Sequence, residues 1–114
     1  MSASVRAASV VDFVRWWCRK EPLLPFELSE RFIADDRGVI RGRDDFLSSV
    51  AIYARMDDLS VVTTIVEDSE RCAILFEAID VVTGLRCRAS WFLEFEAAKL
   101  LRLYMVSSQV SVDP

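Results

Sequence analysis

One carboxylate in this sequence stands in apolar surroundings that favour proton-transfer chemistry. Glu77 lies within the apolar segment 73–79. If its side chain points inward, burial favours the neutral form of the carboxyl group, which makes it a competent general acid or base. The alternative is that Glu77 points outward and pairs with Arg86 or Arg88 on the adjacent strand. We take Glu77 as a candidate catalytic residue and keep both orientations open.

Other side chains could recognise a ligand without transferring a proton. The hydroxyl groups of Tyr53 and Tyr104 can donate a hydrogen bond to a carbonyl oxygen, as oxyanion stabilisers do. Tyr53 also fits the apolar face of a helix, where it would belong to the core. The Arg-Gly-Arg sequence at 41–43 could grip a carboxylate, although most such groups are solvated.

The residue types that are missing exclude several mechanisms. The chain has no histidine, which excludes Ser-His-Asp triads, Cys-His dyads and histidine-based metal sites. Its three glycines form neither a P-loop nor a dinucleotide-binding turn. Cys18, Cys72 and Cys87 form no CxxC pair, and we expect reduced thiols in buried structural positions. We therefore expect no metal and no cofactor.

Length and composition predict one soluble domain over residues 1–114, with its core at about 9–106. The 53% of hydrophobic residues excludes a disordered chain. A net charge of −4 argues against nucleic acid, because phosphate neutralisation requires a basic surface. No apolar run approaches the roughly 18 residues of a membrane span, and the first residues lack the apolar h-region that is typical of a secretory signal. We expect a cytoplasmic protein without a membrane partner.

Hydrophobic periodicity predicts helices first and strands afterwards. The predicted helices cover 9–20, 26–33 and 44 to about 56, with a short extended piece at 38–42. The predicted strands cover 59–66, 71–79, 85–95 and 99–106. This order is typical of an α+β fold in which helices cover one face of an antiparallel meander. The predicted core contains Val14, Trp17, Phe46, Val50, Trp91, Leu93 and Phe95.

Alternation along the third predicted strand assigns its two faces. Trp91 and the residues of the same parity should face the helices, whereas Arg88, Ser90 and Glu94 should face away. Phe92 stands among these outward residues. Because apolar side chains on an outer sheet face usually contact another subunit, we expect a homodimer through the outer face around Phe92.

Four stretches occur in a distinctive order along the chain. They are Phe-Ile-Ala-Asp-Asp at 32–36, the glycine- and arginine-rich segment 38–47, the segment 75–84, and Phe-Leu-Glu-Phe-Glu-Ala-Ala-Lys-Leu at 92–100. Together they resemble the nuclear transport factor 2-like superfamily, which includes SnoaL-like polyketide cyclases and ketosteroid isomerases. The resemblance covers residues 9 to 106.

This resemblance implies a cystatin-like cone, in which a strongly bent sheet wraps round a helix and encloses an apolar pocket, and frequent dimers through the outer sheet face. It implies a pocket-mouth acid at Asp35 or Asp36, of which we take Asp35 as the candidate. Both residues could instead serve turn and capping chemistry, with Arg37 or Arg43 as an ion-pair partner. Catalytic members often carry an acid at the strand position that corresponds here to Trp91, which cannot transfer a proton. Ala98 replaces the usual glycine of the following turn.

A short helix layer cannot fill the concavity of a bent sheet. We therefore expect a pocket for a small, mainly apolar ligand, walled by Trp17, Tyr53, Trp91 and Tyr104. The bulky Trp91 could instead fill this space. Two functions stay open. One is an isomerase, cyclase or hydrolase-type enzyme with Glu77 or Asp35 as acid or base, and the other is a non-catalytic dimeric ligand carrier or protein-interaction module.

Overall fold

The computed structural model describes residues 2–18, 23–53, 56–68 and 70–110 of the chain. Two helices and six strands follow one another along it. In chain order they are α1 (Ser2–Trp17), β1 (Leu28–Asp36), β2 (Val39–Gly42), α2 (Arg43–Tyr53), β3 (Met56–Val66), β4 (Arg71–Asp80), β5 (Arg86–Glu96) and β6 (Lys99–Gln109).

The strands form one curved sheet in the order β2-β1-β6-β5-β4-β3. Strands β3 to β6 make the predicted antiparallel meander. Strands β1 and β2 form a hairpin at the other edge, and β1 runs parallel to β6. The predicted α+β fold, with helices covering a bent sheet, is confirmed, although the sheet contains this one parallel pair.

The segment 26–33 was predicted as a helix, and this prediction is wrong because most of it belongs to strand β1. The apolar residues Leu28, Phe32 and Ile33 have helix-like spacing. In the structure, the pairing of β1 with β6 shifts register between Leu28 and Ile33. Such an irregularity interrupts the two-residue alternation that identifies a strand in a sequence. The apolar pattern therefore matched the wrong element.

The helices lie where the sequence predicts them, with different bounds. Helix α1 begins at Ser2 instead of Ser9, because the preceding segment contains neither glycine nor proline and continues the helix. Its predicted end at residue 20 lies outside the described residues. Helix α2 carries Asp44 and Asp45 in its first turn, where the helix dipole favours negative charge.

The core lies between the helices and the concave face of the sheet. Its predicted members are all buried there, except that Trp17 is half-buried against the others. Alternation in β5 is also as predicted, with Trp91, Leu93 and Phe95 buried on the concave face. Helix α1 packs across β3 and β4, whereas α2 packs against β1 and β2. The two helices therefore cover opposite parts of the sheet and leave a space between them.

Candidate functional site

A cavity of about 280 Å³ lies in this space, between the end of α1, α2 and the concave face of the sheet. Most of its lining is apolar. The apolar residues are Trp17, Ala34, Phe46, Val50, Met56, Phe76, Ala89, Trp91 and Met105. The polar residues are Asp36, Arg37, Arg41, Ser49, Asp80, Cys87 and Ser107.

Three aromatic rings form the part of the lining that we call the aromatic floor: Trp17, Phe76 and Trp91. The ring of Trp91 packs edge-on against Trp17, with 5.0 Å between centroids and an interplanar angle of 85°. It packs in the same way against Phe76, at 5.0 Å and 88°. Phe13 of helix α1 contacts Trp91 from within the core at 5.8 Å. These contacts hold the Trp91 ring against the core, so the ring does not fill the cavity.

The hairpin of β1 and β2 supplies one group of polar side chains. Ala34 and Arg41 are register partners, so the side chain of Arg41 lies on the cavity side of β2. Asp36 belongs to the same face of β1, and its Oδ1 accepts a hydrogen bond from Nε of Arg37 at 3.1 Å. The backbone N–H of Arg37 donates to the carbonyl oxygen of Met105 on β6, at 3.3 Å. The hairpin turn is thus fastened to the sheet.

The end of strand β4 supplies a second carboxylate, that of Asp80. Its Oδ1 accepts a hydrogen bond from the backbone N–H of Val82 at 2.9 Å. The Asp80 backbone N–H donates to the carbonyl oxygen of Leu85 at 2.9 Å, which closes the turn before β5. The backbone of Asp80 is therefore held by the turn, and one of its two carboxylate oxygens already accepts a hydrogen bond. Cys87, on the next strand, lines the cavity beside this turn.

No protein-family model and no curated protein sequence matches the chain. Solved structures do match it. A candidate ketosteroid isomerase from Kribbella flavida DSM 17836 has a TM-score of 0.76 and 17% identity, covering 98% of this chain and 84% of its own. A nuclear transport factor 2-like protein of unknown function from Cytophaga hutchinsonii ATCC 33406 has a TM-score of 0.71 and 14% identity, with coverages of 90% and 89%. A candidate hydroxylase from Streptomyces galilaeus has a TM-score of 0.68 and 16% identity, with coverages of 93% and 80%.

The chain has the nuclear transport factor 2-like fold. The resemblance that the sequence motifs indicate is confirmed at this level. One fold supports many unrelated activities, so the likeness assigns no reaction to the chain.

Within this nuclear transport factor 2-like fold, Glu77 lies on the convex face of the sheet and not in the cavity. Its Oε2 accepts hydrogen bonds from Nε and Nη2 of Arg88, at 2.9 and 2.5 Å. Nη1 of Arg86 lies 3.8 Å from the other oxygen. Phe76 carries the inward parity of strand β4, and Glu77 carries the outward one. The outward alternative considered above therefore describes Glu77, which has no access to a ligand in the cavity.

Asp35 is likewise not part of the cavity lining. Its Oδ1 accepts a hydrogen bond from the backbone N–H of Gly38 at 2.8 Å, which is the turn chemistry considered as its alternative. Asp36, the next residue, lines the cavity in its place. The alternation of Phe32, Ala34 and Asp36 along β1 could have indicated this, had the segment been predicted as a strand.

Of the four residues predicted to wall a pocket, Trp17 and Trp91 line the cavity. Tyr104 lies on the convex face, where its ring centroid is 6.2 Å from that of Phe92. It cannot wall the cavity, because strand alternation turns its neighbours Leu103 and Met105 inward instead. The side chain of Tyr53 lies outside the described residues. The ligand contacts of Trp17 and Trp91 stay a prediction.

The cysteines differ in their surroundings, and all three are free thiols. Cys18 and Cys72 are buried, as expected for structural positions, whereas Cys87 is half-buried at the cavity. Burial raises the pKa of the Cys72 thiol to about 11, which keeps it protonated and unreactive at neutral pH. In the described part of the chain, no cluster of three or more Cys, Asp and Glu side chains could hold a metal ion. No described helix is long and apolar enough to cross a membrane.

Proposed function

We propose that the protein binds a small, mainly apolar molecule in the cavity between its helices and its sheet. The observation that carries this proposal is the cavity of about 280 Å³ that stays open above the aromatic floor. Ligand sites in proteins are concave and mostly apolar, with a few polar groups that orient the ligand. The floor supplies the apolar surface, and Arg41, Asp36 and Asp80 supply polar groups.

The volume limits the size of the ligand. Sites for small molecules usually measure about 300–1,000 Å³, so this cavity falls at the lower limit. It suits a compound of one or two fused rings. One solved structure with this fold is that of a candidate ketosteroid isomerase, whose name refers to a substrate built of fused rings, and this supports a site for ring-shaped molecules.

If the protein is an enzyme, we propose Asp80 as its acid or base. Asp36 is already paired with Arg37 at 3.1 Å. Among the described residues, no arginine or lysine lies within ion-pair distance of Asp80, and one of its oxygens accepts only the N–H of Val82. Replacement of Asp80 by Asn should then remove turnover and leave ligand affinity within about threefold of wild type.

Two variants of strand β5 test the proposed binding. Ala89 lines the cavity and Ser90 faces the convex side, so Ala89→Phe fills the cavity while Ser90→Phe adds the same ring outside it. Binding of the neutral two-ring ester methyl 2-naphthoate is measured by calorimetry. We expect wild type and Ser90→Phe to bind the ester, and Ala89→Phe to lose it. Equal affinity in all three proteins would contradict a site in the cavity.

We also propose that two copies of the chain associate through the convex sheet face, as a dimeric ligand carrier would. Phe92 and Tyr104 pack together there, beside the exposed Ile65 and Val106, which are 55% and 59% exposed. Covering such side chains removes apolar surface from water.

We also propose a cytoplasmic location for the protein. The three free cysteines are typical of a reducing compartment, which supports this proposal.

Light scattering tests the proposed association of two copies. Wild type should elute with twice the mass of the 13.0 kDa chain. Val106→Glu places a charge in the middle of the proposed interface and should yield monomers. Val82→Glu, in the turn after β4, is the matched control and should leave the dimer intact. A monomeric wild type at micromolar concentration would contradict the proposal.

A further inference from the structure

The charged side chains of the cavity are unequally paired. Arg37 and Asp36 form an ion pair, with 3.1 Å between Nε and Oδ1. Asp80 accepts a backbone hydrogen bond from Val82. Among residues 2–18, 23–53, 56–68 and 70–110, by contrast, nothing forms a hydrogen bond or an ion pair with the side chain of Arg41. Arg41 is therefore the cation of the cavity lining whose guanidinium has no counter-charge within the described protein.

The position of Arg41 in strand β2 directs its side chain to the cavity. Its register partner Ala34 is buried on the concave side of the sheet, and directly opposed residues share a face. Arg43, two residues further along, shows the usual arrangement of a surface arginine. Its Nε lies 3.5 Å from Oδ1 of Asp44, and it does not line the cavity.

An arginine that is half-buried beside apolar rings has lost part of its hydration without gaining a protein partner. The planar guanidinium fork matches a carboxylate, which can accept two parallel hydrogen bonds from it. Such charge-assisted hydrogen bonds are about twice as strong as neutral ones. A ligand that brings a carboxylate to Arg41 would supply the missing counter-charge.

The cavity offers less to a cationic ligand. Asp36 already has Arg37 as its counter-charge, and Asp80 is held in the β4–β5 turn by the Val82 N–H. Arg41 and Asp80 both lack an ion-pair partner among the described residues, but the side chain of Asp80 accepts a hydrogen bond from the protein. The charged group of the lining with neither kind of partner is therefore the cation Arg41. The aromatic floor of Trp17, Phe76 and Trp91 lies in the same cavity and suits the hydrocarbon part of a ligand.

We propose that this cavity selects small aromatic carboxylic acids, whose carboxylate is held by Arg41 while the ring contacts the aromatic floor. This inference rests on the proposed function and narrows it from apolar molecules in general to apolar acids. Arg41 acts here as a specificity-determining residue that touches the ligand.

Three ligands of equal ring size test the inference by calorimetry: 2-naphthoate, its methyl ester and 2-naphthylmethylammonium. The proteins are wild type, Arg41→Gln, Arg41→Lys and the control Arg43→Gln. Wild type should bind the acid roughly tenfold or more tighter than the ester, as expected for a hydrogen-bonded charge. Arg41→Gln should remove this preference and leave ester affinity within about twofold. Arg41→Lys, which keeps the charge without the fork, should be intermediate, and Arg43→Gln should behave as wild type.

The outcomes distinguish the role of Arg41 from the more general proposal that the cavity binds a small apolar molecule. If the ester binds as tightly as the acid, or Arg41→Gln keeps the preference for the acid, the role of Arg41 is wrong while binding in the cavity stands. Tightest binding of the ammonium compound would show that Asp36 or Asp80 sets the charge preference, and would also overturn the inference. If wild type binds none of the three ligands, both the proposed function and the inference fail.

Discussion

The carboxylate of Glu77 accepts two hydrogen bonds from the guanidinium of Arg88, at 2.9 and 2.5 Å, on the convex face of the sheet. The side chain of Glu77 is 17% exposed, and that of Arg88 is 52% exposed. Glu77, the first catalytic candidate that the sequence indicates, therefore forms a structural ion pair. Its carboxylate contacts arginine side chains of the neighbouring strand β5 and does not face the cavity.

Replacing Glu77 by Gln should lower the free energy of unfolding by about 1 kcal/mol, because a half-buried, two-point ion pair is lost. Urea denaturation measures this change. Binding of methyl 2-naphthoate should be the same as in wild type, since Glu77 lies on the other side of the sheet. Loss of binding without loss of stability would contradict the structural role.

Trp91 supports the core and also limits the cavity. Its ring is 1% exposed and contacts Phe13, Trp17 and Phe76. Trp91→Ala should destabilise the protein by about 3–5 kcal/mol, as other large-to-small core substitutions do. Trp91→Phe should cost less and still fold, while enlarging the cavity. A three-ring acid such as anthracene-2-carboxylate should then bind to Trp91→Phe more tightly than to wild type, and the reverse order would argue against Trp91 as the floor.

The turn between β5 and β6 contains two alanines with positive φ, 50° at Ala97 and 65° at Ala98. This left-handed conformation is strained for a residue with a Cβ atom and is adopted freely by glycine. Ala98→Gly should therefore raise the free energy of unfolding by about 1 kcal/mol. Ala73→Gly, within strand β4, is the matched control and should lower it by about 0.5–1 kcal/mol. A destabilised Ala98→Gly variant would show that the turn carries no such strain.

Cys72 should make stability depend on pH in the alkaline range. Burial raises the pKa of its thiol from 9.0 to about 11 in the folded chain. The unfolded chain therefore loses this proton first as the pH rises, and the folded state becomes less favoured between pH 9 and 11. From pH 8 to pH 10, wild type should lose about 1 kcal/mol more stability than Cys72→Ala. Chemical denaturation at both pH values measures the difference, and equal losses would contradict it.

Strands β4 and β5 alternate strictly between buried and more exposed residues, which makes them predictable from the sequence. Strand β3 is predictable from its β-branched residues instead, because its pairing with β4 shifts register twice. Alternation also identified the inward side chain of Trp91. It failed at β1, where the register shift between Leu28 and Ile33 interrupts the alternation. The alternation of β1 would have separated Asp36, which lines the cavity, from Asp35, which does not.

The remaining site residues depend on distant parts of the chain and could not be predicted from local patterns. Arg41 lies in the edge strand β2 and Asp80 in β4, four strands away, and only the curvature of the sheet makes both line one cavity. The hydroxyl chemistry of Tyr104 favours a position in the pocket, whereas strand alternation does not. Its parity with the exposed Val106 could have placed it on the convex face.

The central claim, that the cavity is a ligand site, is tested most directly by the indole N–H signals of the three tryptophans in a two-dimensional NMR titration. Trp17 and Trp91 line the cavity, whereas Trp16 packs against Phe13 and is not part of the lining. Tryptophan-to-phenylalanine variants assign the signals. On addition of methyl 2-naphthoate, we expect saturable shifts of the Trp17 and Trp91 signals and a much smaller change at Trp16. Unchanged Trp17 and Trp91 signals up to the solubility limit of the ester would contradict the claim.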